Sequence, residues 1–318
     1  MHKFLKDIKN GEEFTDFYLM KNYLVQNKAT GEEYFRVEIS DKSMSCQGLS
    51  WEDPKRFDVG TECIGSIIKV KGTMQEYNGQ PQVRIYNIRK AQESDKALFD
   101  MDSLVKSAPI NIKDRQEDVF KLINTIEDQD YKKVCLHVFD KVRGKFASCP
   151  AGKTVHHAFL GGLIMHTSNM MYVACNISEI YSNIIDRSLL LAGTFLHDIA
   201  KIEEFDLSEA NLVKDYSKEG QLLGHLYIGA ANIREICEKL NIDKNKSLLL
   251  EHMILSHHGD GELGSPVQPK FAEAEALHLI DLMDSRLEIY AEEYEKIESG
   301  TFSPKNNWAL GHRILKNK

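Results

Sequence analysis

No apolar stretch of this 318-residue chain approaches the roughly 18 residues that span a bilayer, so the sequence offers no membrane helix. The segment Met1 to Glu12 is charged and lacks the apolar core of an export signal. The six cysteines, Cys46, Cys63, Cys135, Cys149, Cys175 and Cys237, show no C-x-x-C spacing. That argues against a zinc ribbon and leaves free thiols in a reducing compartment as the expectation. A cytoplasmic protein with no membrane partner is expected. Repeats and low-complexity segments are missing too. So is a basic excess: 40 Lys and Arg stand against 48 Asp and Glu, a net charge of −8, which argues against indiscriminate coating of nucleic acid. The length suffices for two domains, each with its own core.

What the second half does hold is an ordered series of metal-binding side chains: His166, the pair His197-Asp198, His225, the pair His257-His258, and Asp281. Neutral imidazole nitrogens and carboxylate oxygens bind Mn, Fe, Zn and related ions well. One such histidine alone reads as structural or exposed. The ordered set reads as a metal centre, because the apolar run RSLLLAGTFL (187–196) delivers His197-Asp198 where a bare charge would be expensive to bury. His166 lies in another apolar segment (158–173), in which Gly161-Gly162 would let two helices approach closely. His257-His258 closes a helical stretch (248–256) before the turn signal Gly259-Asp260-Gly261. Asp281 lies in a long helical pattern (272–294) whose packed stripe would be Leu277, Ile280, Leu287 and Tyr290. His278 and Asp284, at helical spacing from Asp281, would orient a ligand.

This order, H...HD...H...HH...D, resembles the HD-domain metal-dependent phosphohydrolases, and in particular their dinuclear members. The resemblance implies that His166, His197, Asp198 and Asp281 surround one ion, and that His225, His257 and His258 add a second with Asp198 bridging. The strings HHAFLGGLIMHT (156–167), HDIAK (197–201), GHL (224–226), LSHHG (255–259) and EALHLIDLMDSRL (275–287), behind a small β domain, are similar to the YhaM-type 3'-5' exoribonucleases over most of the chain. The chain departs from the family at Ala200, where glycine is usual. Mn as the ion and 3'-to-5' polarity are what the resemblance implies. His-rich sites also suit Fe, Co, Ni or Zn.

Lys201 lies three residues beyond Asp198, about one helical turn. It is expected either to face the cleft and contact phosphate, or to sit as a helix-end lysine on the dipole. Between Tyr131 and His157 the cations Lys132, Lys133, Lys141, Arg143, Lys145 and Lys153 face one acid, Asp140. They would lead a phosphate backbone to the metals or form a solvated helix face.

The first ninety residues follow another pattern. Segments 17–25, 34–40, 61–70 and 82–88 alternate as strands, with a hairpin signal at Tyr77-Asn78-Gly79-Gln80. Trp51 to Asp58 reads as a loop. An OB-like barrel is the best fit. Tyr34, Tyr77, Lys69, Lys71 and Arg84 are candidate contacts to a single strand, with Phe35, Trp51, Tyr86 and Arg89 as further materials. Most of these aromatics would serve equally as barrel packing.

The expected fold is therefore multidomain: an all-β OB-like barrel (12–91), a linker (92–106), an all-α HD-domain bundle (107–300) and a C-terminal tail (301–318). The expected function is a metal-dependent 3'-5' exonuclease using two divalent ions, with Asp198 and Lys201 as catalytic residues. Its partner would be single-stranded RNA, with single-stranded DNA as a second polymer, and a homo-oligomer is compatible. The alternatives are a phosphohydrolase acting on a small nucleotide or cyclic dinucleotide, a di-iron oxygenase, and an RNA-binding adaptor with a structural metal.

Overall fold

A computed structural model describes residues 2–153, 157–208, 210–259, 261 and 264–318. His156 and Asp260, each part of a motif above, lie outside them. The backbone divides into two compact units, Met1–Ser107 with Leu207–Lys214 and Ala108–Asp206 with Asp215–Lys318.

In the first unit, β1 (Glu13–Asn27), β2 (Glu33–Ser40), β3 (Ser45–Ser50), β4 (Ile67–Tyr77) and β5 (Gln80–Lys90) close into a barrel in the order β1-β2-β3-β5-β4. β1 is long enough to serve two neighbours. Residues 13–19 pair with β4, and the strand pairs with β2 from Leu19 onward across a register shift between Met20 and Asn22. Such a shift bends a strand and raises its twist. The barrel closes where β3 runs parallel to β5, Gly48 opposite Val83. A Cβ on Gly48 would lie 2.6 Å from Ile85 Cδ1 and 2.8 Å from Val37 Cγ2, so only glycine fits that seam. Inward positions on alternate residues, among them Phe35, Val37, Ile39, Ile68, Val70, Val83 and Ile85, make the core. The β4–β5 hairpin has positive φ at both Asn78 and Gly79, the backbone of a tight two-residue turn, as its sequence predicts.

These are the OB-like barrel's expected strands with two differences. Residues 61–63 form a 3-10 turn and β4 begins only at Ile67. The strand β3 stands where no strand pattern is legible, because Ser45–Ser50 is built from small and polar residues. The stretch 92–106 carries a 3-10 helix at Glu93–Leu98 and the short α1 (Met101–Leu104), and belongs to the barrel's unit. Arg89 anchors it through a two-pronged contact with Asp95, 2.6 and 3.0 Å.

The second unit is helical: α2 (Ile112–Asn124), α3 (Gln129–Phe146), α4 (Gly162–Ile180), α5 (Arg187–Leu196), the short α6 (Lys201–Glu204), α7 (Lys218–Lys239), α8 (Lys244–Ser256) and α9 (Ala272–Tyr294). A two-stranded hairpin, β6 (Phe205–Leu207) and β7 (Val213–Tyr216), whose residues 207–214 are grouped with the first unit, leads into α7. Asn111, Asp128, Asp186, Ser217 and Asp243 cap α2, α3, α5, α7 and α8 through their side chains. α5 is apolar on every face and buried from Ser188 to Leu196, as a helix packed on all sides must be. It touches α3, α4, α8 and α9. At Gly193 a Cβ would lie 2.2 Å from Met253 Cε on α8, so that flexible side chain would have to shift to admit it.

Gly161-Gly162 works differently from expectation. Gly161 takes a left-handed backbone (φ 72) at the start of α4, and a Cβ on Gly162 would sit 1.9 Å from the carbonyl oxygen of His157. The pair thus admits a loop, chiefly, rather than a second helix. On α9, Leu277 and Ile280 are buried as expected, but Leu287 is 59% exposed and Ile289 is buried in its place. The helix face that continues from Leu277 carries Asp281 and Asp284, so the apolar stripe must step aside. Among the described residues no helix is long and apolar enough to cross a membrane.

Candidate metal centre

The ends and inner faces of five helices converge. α4 presents His166; α5 ends at His197, which delivers Asp198; α7 presents His225; α8 ends at His257 and His258; α9 presents Asp281. His225 depends on a break in α7 at Gly224 (φ 69, ψ 159), which turns its ring toward the others. His166, His197 and Asp198 form one group whose ligand atoms lie within 4.8 Å of one another, as do His225, His257 and His258, and His197, His257 and Asp281.

Asp198 stands between two sets. Its Oδ2 is 3.6 Å from His166 Nε2 and 3.5 Å from His197 Nε2, while its Oδ1 is 3.5 Å from His225 Nε2 and 3.6 Å from His257 Nε2. Asp281 Oδ1 joins the first set, 3.4 Å from His166 Nε2.

The outward nitrogen of each of four rings is fixed. His197 Nδ1 donates to the Thr194 carbonyl and His257 Nδ1 to the Ile254 carbonyl, both at 2.8 Å. His225 Nδ1 donates to Glu204 Oε1 at 2.9 Å, an atom that also receives the His225 backbone N–H. His166 Nδ1 donates to Asp284 Oδ2 at 2.7 Å. Oxygen acceptors put the proton on Nδ1 and leave Nε2 as the lone-pair atom facing inward.

His166 Nε2 and His197 Nε2 stand 3.3 Å apart, but the other inward atoms lack partners. Asp198 Oδ1, His225 Nε2 and His257 Nε2 are buried with no hydrogen bond among the described residues. Acceptors buried against one another are costly unless a cation lies between them, so the residues present fit a divalent ion.

The electrostatics agree. Burial pushes the Asp198 carboxyl up, but Lys201, His197, His257 and His225 outweigh it and hold the group well below the usual carboxylate range. Asp281 is opposed by burial in the same way and held low, chiefly by its bond to His166. Burial depresses His197 and His257, and pushes His258 down to about 4, with His257 and His225 adding. His166 goes the other way: burial lowers it, yet the bonds to Asp281 and Asp284 raise it to about 10. In the ion-free site a proton on His166 partly supplies the positive charge that the carboxylates demand.

Three outer residues were not singled out as ligands or contacts from sequence. Glu204 holds His225. His157, fully buried and with a left-handed backbone (φ 54), places Nε2 2.8 Å from Asp284 Oδ2, the atom that holds His166. Asn169 Nδ2 donates to the other Asp284 oxygen at 3.3 Å. Only the helical spacing of Asp284 from Asp281 hinted at this relay. His278 does not reach the ligands' rings; its Nδ1 donates to the His257 carbonyl at 2.9 Å.

A cleft of about 430 Å³ opens on the centre, lined by Lys153, His166, Lys201, Tyr216, His225, His258 and Asp281 among others. Lys201 Nζ donates to Asp198 Oδ2 at 2.6 Å within it. Ala200 has ordinary helical dihedrals (φ −67), so its side chain imposes no strain on Lys201. Of the basic stretch, Lys153 reaches this cleft. Lys141, Arg143 and Lys145 lie exposed on α3 and do not line it. Lys132 and Lys133 donate to the Asn124 and Leu240 carbonyls.

On the barrel, Tyr34 is only 9% exposed and stacks on Trp51, centroids 4.9 Å apart, with Trp51 outermost. Tyr77 is exposed at the β4–β5 turn. Lys69 lies over Phe17 at 5.1 Å, and Lys71 pairs with Glu13 at 3.1 Å. Arg84 lies over Tyr86 at 5.7 Å. Trp51, Arg56, Arg84 and Tyr86 share a surface cleft of about 420 Å³. The candidate aromatic-and-basic face is thus carried by Trp51 and Tyr86 more than by Tyr34.

A family model for the HD domain matches residues 163–286. The 3'-5' exoribonuclease YhaM of Bacillus velezensis is 32% identical over 295 residues, 93% of this chain and 92% of that protein. The protein of the same name from Listeria monocytogenes is 31% identical over 305 residues (96% and 95%), and that of Bacillus subtilis 30% over 295 (93% and 92%). Among solved structures, the second OB-fold domain of replication protein A from Methanococcus maripaludis matches 29% of this chain and 97% of its own at 15% identity, with a TM-score of 0.24.

Proposed function

The chain belongs to the YhaM family of 3'-5' exoribonucleases, and on that premise we propose that it shortens single-stranded RNA from the 3' end through a two-ion centre. The observation that carries the proposal is Asp198, whose two oxygens face two separate histidine sets. His166, His197, Asp198 and Asp281 would hold one ion, and Asp198, His225, His257 and His258 the other. Manganese is the ion we favour, as the resemblance implies. Two divalent ions supply a bound water acidic enough to yield hydroxide near neutral pH, and positive charge for the phosphate and leaving oxygens.

The chain's own residues do the rest. Glu204, Asp284 and the Thr194 and Ile254 carbonyls keep the imidazole rings aimed inward, so positioning is settled before substrate arrives. Lys201, held at Asp198 beside the cleft, pairs with a phosphate oxygen. Lys153 meets the strand at the cleft mouth, and Lys141, Arg143 and Lys145 attract its phosphates from α3. On the barrel, Trp51, Tyr77, Tyr86 and Arg84 offer stacking surfaces and charge, and Lys69, Lys71 and Tyr34 support that face. Single-stranded DNA has the same phosphates and bases and is a second polymer for these contacts. Six free cysteines suit a reducing cytoplasm.

The test is incubation of purified protein with 5'-labelled single-stranded RNA under different divalent metals. A ladder of shortening products that keep the label supports the reading. Loss of the label as mononucleotide, or no product with any metal, opposes it.

A further inference from the structure

Tyr216, the last residue of β7, is used by none of the contacts above. It lines the metal cleft together with Lys201, His225 and His258, and it is 38% exposed. Buried Phe205 lies behind it, centroids 5.7 Å apart at 50°, so the ring's place is fixed by packing. Lys153 lies 5.2 Å from the ring centroid and is itself held by Asp215, 2.9 Å away. Ser217 then caps α7, the helix that carries His225 to the same cleft.

A rigid aromatic ring exposed inside a phosphate-binding cleft, with a cation at its side, has the chemistry of a nucleobase platform. Every base has a π-face, and stacking tolerates all of them. We propose that Tyr216 forms a base-stacking subsite of the metal centre, with Lys153 steadying the adjoining phosphate. The subsite rests on the phosphodiesterase reading of the centre and adds the group recognised next to the scissile phosphate.

The test is binding to the metal-loaded full chain, read by calorimetry, of adenosine 5'-monophosphate and ribose 5-phosphate, which differ by the base alone. The wild type should bind the nucleotide about 5- to 150-fold more tightly, the worth of one stacked base. Tyr216→Phe should keep that preference, and Tyr216→Ala should bind both ligands at the ribose 5-phosphate level with its metal content unchanged. A wild type indifferent to the base overturns the proposal without any variant. Retention of the preference by Tyr216→Ala, or an equal loss for both ligands, overturns it as well. Failure of the nuclease reading would show separately, as absence of RNA shortening by a protein that still prefers the base.

Discussion

Asp198 Oδ1 stands 3.5 Å from His225 Nε2, and both atoms are buried without a hydrogen bond among the described residues. Two inward acceptors at that distance have no reason to coexist unless a cation joins them. His225→Ala should therefore lower the bound metal from two ions to one and depress activity strongly. Asp198→Ala, which removes both faces of the bridge, should abolish binding of both ions and nearly all activity. Metal analysis of the purified variants checks this; an equal loss in the two would make His225 a general structural residue.

His157 would reach a bound ion only through Asp284 and His166. Loss of such an outer partner typically lowers metal affinity 10- to 100-fold. His157→Ala should fall in that range, seen as a higher metal concentration for half-maximal activity while kcat at saturating metal stays within a few-fold of wild type. A variant that binds metal normally would free His157 from this role.

Proton linkage separates two groups of histidines. His258 falls from the ordinary 6.5 to about 4, first through burial, so the unfolded chain takes up its proton before the folded one does. Stability from this group is complete above about pH 6.5 and is lost as pH falls toward 4. His166 is raised to about 10, and its contribution to the ion-free protein is complete below the unfolded value and lost as pH rises through 10. A metal ion must displace that proton. Metal binding at pH 7.5 should thus release at least one proton and strengthen as pH rises. Calorimetric heats independent of buffer ionisation would contradict this.

Charge on α3 and charge at the cleft should behave differently. Arg143→Ala with Lys145→Ala should flatten the log–log salt dependence of RNA binding by about 0.7 per lost phosphate contact, and leave hydrolysis of a small artificial phosphodiester unchanged. Lys153→Ala, inside the cleft, should impair both substrates. An unchanged salt slope in the double variant would return α3 to an ordinary solvated face.

On the barrel, Trp51→Ala and Tyr86→Ala should each weaken binding of long single strands by about 1–3 kcal/mol, the worth of one stacked base. The small phosphodiester should be hydrolysed as before. Filter binding and the colorimetric assay together decide; loss on both substrates would mean that these residues support the fold.

The candidate series was legible in sequence because a metal restricts residue types so severely that seven His and Asp positions stand out without any geometry. α5 and α9 were legible to the residue, since one is apolar throughout and the other is bounded by a turn and a long charged face. His157 was not. Although it stands in the string 156–167, its partner Asp284 lies 127 residues away, and a histidine in a loop carries no periodic signal. β3 escaped because its inward residues, Cys46, Gly48 and Ser50, are small where the barrel closes on β5. β6 and β7 escaped by being three and four residues long, which hid Tyr216. Which barrel aromatics face outward was equally unreadable. Tyr34 opens a strand pattern and Trp51 a loop, and only their stacking and exposure decide that Trp51 lies outside.

The central claim is that Asp198 bridges two ions in the active enzyme. The most direct measurement is the metal-to-protein ratio of a wild-type preparation titrated to full RNA-shortening activity. The account predicts close to two divalent ions per chain, with activity appearing only as the second is bound. Full activity at one ion per chain would contradict it.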